Sequence, residues 1–72
     1  MSKIIRAGEG IIFLDNVAYM NRVDKNKILI EMANGKCITL VSKSSDDILV
    51  DVTEFMKMEE KVFEIDNIMF LD

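Results

Sequence analysis

The stretch Lys27-Ile28-Leu29-Ile30-Glu31-Met32-Ala33-Asn34-Gly35-Lys36-Cys37-Ile38-Thr39-Leu40-Val41-Ser42 decides how this chain folds. Two runs rich in apolar and β-branched residues flank Asn34-Gly35, a dipeptide that favours a tight hairpin because both residues tolerate positive φ. Two registers compete. A two-residue turn would pair Ala33 with Lys36, Glu31 with Ile38 and Leu29 with Leu40, which splits the apolar residues between the faces of the ribbon. A three-residue loop over Ala33-Asn34-Gly35, with Gly35 left-handed as a G1 bulge, pairs Met32 with Lys36, Ile30 with Ile38 and Ile28 with Leu40. That register gathers Ile28, Ile30, Met32, Ile38 and Leu40 on one face, and one continuous buried face is the better solution. The bulged loop is therefore expected. The opposite face, Leu29, Glu31, Cys37, Thr39 and Val41, is half apolar and calls for cover of its own.

The remaining residues limit what the hairpin can be part of. With 72 residues the chain makes a single small domain (1–72), near the size where one core is marginal. Half of it is apolar, yet it has one cysteine, no histidine and no proline. Neither a disulfide pair nor a metal-ligand cluster helps such a core, so self-association is the expected aid to burial. A lone Cys37 fits a reducing compartment, and Met1-Ser2-Lys3-Ile4-Ile5-Arg6 lacks the apolar stretch of a signal peptide. No apolar run approaches a bilayer span. Cytoplasm is the expected location, without a membrane partner.

Upstream of the hairpin, Met1 to Gly10 has little pattern and Gly8-Glu9-Gly10 reads as a turn. Ile11-Ile12-Phe13-Leu14 suits a buried strand, and Asp15-Asn16 can bend the chain through side-chain hydrogen bonds to the backbone. Val17 to Val23 reads as a strand with Val17, Tyr19 and Val23 on one face and Ala18, Met20 and Arg22 on the other. Asp24-Lys25-Asn26-Lys27 then connects it to the hairpin, giving a three-stranded antiparallel meander.

Downstream, Ser44-Ser45-Asp46-Asp47 signals a helix start, with Ser44 as cap and Asp47 reaching back. Ile48, Leu49, Val52, Phe55 and Met56 follow at helical spacing, which predicts a helix over about 45–60. Alternation of Ile48, Val50 and Val52 is the competing strand pattern. The run 62–72 reads as an apolar C-terminal strand, an aggregation hazard if its edge stays open. It also echoes an earlier segment: Ile65-Asp66-Asn67-Ile68-Met69-Phe70-Leu71 lines up with Leu14-Asp15-Asn16-Val17-Ala18-Tyr19-Met20. Two readings stand side by side: a chance similarity, or two segments in similar strand positions, each entered through an Asp-Asn bend and paired with each other or across a subunit boundary.

Charge is divided unevenly. Residues 1–43 hold seven basic and four acidic side chains, a balance of +3, whereas 44–72 hold two lysines against nine acids, a balance of −7. Arg22, Lys25, Lys27 and Lys36 are candidate contacts for an anionic ligand or a partner. With Lys43 and Tyr19 they also admit a nucleic-acid surface, which the net charge of −4 opposes. The acidic half could instead act as a phosphate mimic that blocks a basic partner. Ile68, Phe70 and Leu71 are the candidate self-association residues. Five internal methionines add adaptable apolar surface, mostly core.

Catalytic chemistry finds little purchase. Without histidine the usual proton shuttle near neutral pH is missing, Cys37 has no base beside it, and Ser42, Ser44 and Ser45 lack one too. Asp46-Asp47 and Glu59-Glu60 are adjacent on a helix and point apart. No EF-hand, zinc or phosphate-loop spacing occurs. A non-enzyme without cofactor or metal is expected.

Asp15-Asn16-Val17-Ala18-Tyr19, then Lys27 to Glu31, then Asn34-Gly35-Lys36-Cys37-Ile38-Thr39-Leu40-Val41-Ser42 resemble the strand–strand–turn–strand–helix layout of small flagellar FlbD-like proteins. LytTR DNA-binding domains have a similar strand pattern. The resemblance spans residues 13–57 and rests on hydrophobic spacing and the Asn34-Gly35-Lys36 turn. The run 62–72 departs from it, and it assigns no function or site residue.

The expected fold is α+β: a small, mostly antiparallel sheet of four or five strands, one helix and a C-terminal strand. The expected role is a small oligomeric binding or regulatory protein acting through a protein partner. The alternative is an oligomer that sequesters an anionic small molecule.

Overall fold

Among the described residues, short apolar runs broken by turn residues give seven strands and one α-helix. The strands are β1 (Ile4–Ala7), β2 (Gly10–Phe13), β3 (Val17–Asp24), β4 (Lys27–Met32), β5 (Cys37–Ser42), β6 (Val62–Ile65) and β7 (Ile68–Leu71), and the helix α1 spans Ile48–Lys57. The computed structural model describes residues 2–65 and 68–71, with side chains through Ile65.

The central hairpin takes the register of the three-residue loop. Ile30 lies opposite Ile38 and Ile28 opposite Leu40. The Met32 amide donates to the Lys36 carbonyl at 2.7 Å, and the Gly35 amide donates to Met32 O at 2.9 Å. Gly35 adopts φ +90°, the positive region the loop requires. Asn34 Oδ1 accepts from the Lys36 amide at 3.0 Å, which holds the turn from within. Ile28, Ile30 and Leu40 are fully buried, with Met32 and Ile38 packed against the same core.

Two sheets share that core. One has the order β2-β1-β6, the other β3-β4-β5-β7. Neighbours are antiparallel except β1 and β6, which are parallel. The count is thus seven strands, not four or five. The difference has two sources. β1, inside the stretch that showed little pattern, supplies Ile5 and Ala7 to the centre of the core, both fully buried. The expected C-terminal strand is also two strands that belong to different sheets.

The internal echo marks how the sheets join. Leu14–Asn16 forms one turn of 3-10 helix between β2, an edge of the first sheet, and β3, an edge of the second. Its counterpart segment links β6, the other edge of the first sheet, to β7, the other edge of the second. Asp66 and Asn67 themselves lie outside the described residues. Two of the three transfers between sheets therefore occur in the matching stretches, and the third runs from β5 through α1 to β6.

β3 corrects a second expectation. Its register with β4 shifts between Val17 and Tyr19 and again between Arg22 and Asp24. The extra residue at Ala18 turns Val17 and Met20 toward the core, while Tyr19 is left exposed.

The helix is shorter than expected at both ends. Asp47, not Ser44, is its N-cap, accepting from the Val50 amide at 3.2 Å. Ile48 N is occupied by Lys25 O of the β3–β4 turn at 2.8 Å, so helix geometry starts where the chain docks on that turn. Arg22 reaches the same cap, with Nη2 3.0 Å from Asp47 Oδ2. At the far end the Lys3 ammonium donates to Phe55 O at 2.7 Å and Met56 O at 3.2 Å, and also to Met58 O. Ile48, Val52 and Phe55 are the buried stripe.

The cap and the ion pair can be separated. Asp47→Ala is expected to cost about 1–2 kcal/mol, the usual worth of an N-cap. Asp47→Ser keeps a capping oxygen and loses the charge. Because Arg22 and Asp47 are both partly exposed, it should cost only about 0–1 kcal/mol. Urea unfolding of the two variants measures this; equal losses would assign the stability to the ion pair instead.

Candidate interaction surface

The four cations singled out in the sequence do not form one site. Arg22, Lys25 and Lys27 gather where the β3–β4 turn meets the start of α1, while Lys36 sits beyond the opposite end of β4. Five residue steps along that strand separate the two ends by roughly 16 Å. Arg22 is already engaged by the Asp47 carboxylate, and the Lys25 carbonyl by Ile48 N. Cys37 is exposed on the hairpin. Among the described residues no group of three acidic, histidine or cysteine side chains is placed to hold a metal ion.

Ile68, Phe70 and Leu71 lie on β7, whose backbone pairs with β5: Ile68 opposite Ser42, Phe70 opposite Leu40 and Leu71 opposite Thr39. One edge of the apolar terminal strand is thus satisfied within the chain. The side chains of these three residues are outside those described.

What the described surface offers is apolar relief on both sides of α1. On the β3 side a groove of about 320 Å³ is lined by Leu14, Val17, Met20, Leu49 and Thr53, with Tyr19 and Met56 exposed at its rim. β3 is an edge strand. Its Tyr19 and Asn21 face Glu31 and Leu29, residues that alternate with those bonded to β5, so Met20 and Arg22 turn their backbone groups outward.

On the β6 side a second groove of about 330 Å³ has a floor of Phe55 and Phe63, stacked with ring centroids 5.3 Å apart. Met58 and Val62 stand beside it, 52% and 45% exposed, and Asp51, Glu54 and Glu60 rim it. The Phe55–Phe63 pair was not legible in the sequence as a site. Phe55 read as one member of a helical stripe and Phe63 as part of the apolar C-terminal run, and the parallel β1–β6 pairing brings β6 beside the helix.

No helix among the described residues is long and apolar enough to cross a membrane. Comparison with known proteins found no matching family model, no matching curated protein and no matching solved structure.

Proposed function

We propose that this chain is a small, non-enzymatic binding protein that self-associates and acts through a protein partner. The observation that carries the reading is the pair of apolar grooves flanking α1, where Tyr19, Met56 and Met58 are each more than half exposed on a chain too small to waste apolar surface. Grooves beside a helix and an edge strand are the features that peptide-recognition modules use. The dispersal of Arg22, Lys25, Lys27 and Lys36 weighs against a single anionic-ligand pocket.

Native mass spectrometry on protein isolated without denaturation tests this. Masses built from whole polypeptides, either copies of this chain or a stoichiometric partner, are expected. A species carrying a few hundred additional daltons would overturn the proposal in favour of ligand sequestration. A bare single chain at every concentration would remove self-association.

A further inference from the structure

We propose that the groove between α1 and β6 takes a basic segment of a partner protein, anchored by an apolar side chain on Phe55 and Phe63. The inference rests on the protein-binding reading and adds the chemistry of the partner.

The argument is one of charge around an apolar floor. Asp51, Glu54 and Glu60 rim the groove, all exposed, and Phe55, Phe63, Met58 and Val62 form its walls and base. The lining itself carries three carboxylates and no cation. Lys57 meets Glu54 at 3.9 Å, and among the described ion pairs none involves Asp51 or Glu60. Asp51 accepts one hydrogen bond, from Ser45 Oγ at 2.6 Å, and keeps further lone pairs. The groove also lies in the half of the chain whose balance is −7. Lys3 already places its ammonium 4.8 Å from the Phe55 ring centroid, so the partner meets Phe55 and Phe63 with its apolar anchor and the rim carboxylates with its cations.

A volume of about 330 Å³ admits one or two large side chains, not a folded domain. The occupant is therefore a segment: one apolar anchor with lysines or arginines beside it to meet the three carboxylates. Nucleic acid is rejected by the same rim, since phosphates would face carboxylates.

Two soluble hexapeptides test the proposal, Lys-Lys-Leu-Phe-Lys-Lys and Glu-Glu-Leu-Phe-Glu-Glu, with chemical shifts of the labelled full chain as readout. The basic peptide is expected to shift the amides of Glu54 to Phe63. Its affinity should fall with added salt and drop roughly three- to tenfold in Glu54→Gln/Glu60→Gln, the scale of two exposed ion pairs. Both substitutions are on exposed side chains, so folding is expected to survive and the spectrum itself reports it. Binding of both peptides alike, or no change in the double variant, overturns the charge argument. Shifts confined to Ala18–Met20 and Met56 place binding in the other groove, which overturns this inference and leaves the protein-binding reading standing. If neither peptide binds and native masses show a bare single chain, both are overturned.

Discussion

Ile30→Ala is expected to destabilise the fold by about 2–5 kcal/mol, and Leu29→Ala, one residue away, by about 1 kcal/mol or less. Ile30 is fully buried, opposite Ile38 on one side and Met20 on the other. Truncating it removes buried methyl groups and leaves a cavity where both sheets and α1 meet. Leu29 lies opposite Thr39 and Asn21, half-buried on the outer face and not packed against the core cluster. For 72 residues the total stability is on the order of 4–11 kcal/mol, so the first substitution consumes a large share of it. Melting temperature should fall by roughly 10–30 °C for Ile30→Ala. Urea unfolding of both variants with an unchanged m-value measures the difference. Equal losses would mean that the hairpin faces are not distinguished, and the register of the three-residue loop would be wrong.

That register was readable because its determinants are local: a period of two on each side of Asn34-Gly35 and a glycine where φ must be positive. The features that escaped are those fixed by contacts distant in sequence. β1 is four residues long, and its central place depends on β6, which follows α1 far downstream. The bulge at Ala18 inserts one residue into an edge strand, and nothing in the composition of Val17–Asp24 announces it. The helix cap moved from Ser44 to Asp47 because the Lys25 carbonyl claims Ile48 N, a contact with another turn. The Asp-Asn echo sits between these cases. The resemblance of Leu14–Val17 to Ile65–Ile68 was visible, but that both stretches carry the chain between sheets follows only from the strand orders. The placement of the candidate cations follows from the fold in the same way: Lys36 is near Lys27 in sequence, and a hairpin puts them at opposite ends.

Lys3 is the clearest instance of a residue whose role only the fold creates, and it carries the second large effect. A helix leaves its last carbonyls without intrahelical partners. The usual remedy, a left-handed glycine just past the end, is missing here: Met58 is extended with φ −86° and ψ 167°, and Glu59 follows. The Met58 amide returns one bond, to Phe55 O at 3.1 Å. The Lys3 ammonium, with three donors, supplies the others to Phe55 O, Met56 O and Met58 O, and places a positive charge at the negative end of the helix. It also sits over the Phe55 ring. Lys3→Met keeps most of the aliphatic stem and removes all of these bonds. It is expected to cost about 1–3 kcal/mol, the range for losing charge-assisted bonds of which one, to Phe55 O, is partly buried. Lys3→Arg should recover only part, because a planar fork cannot aim at three converging carbonyls as an ammonium does. Lys61→Met is the control: Lys61 is exposed and, among the described contacts, its side chain holds no partner, so its loss should stay within about 0.5 kcal/mol. Thermal and urea unfolding of the three variants decide it. If Lys3→Met and Lys61→Met cost the same, the helix end is satisfied by water, and what ties β1 to α1 is apolar packing alone.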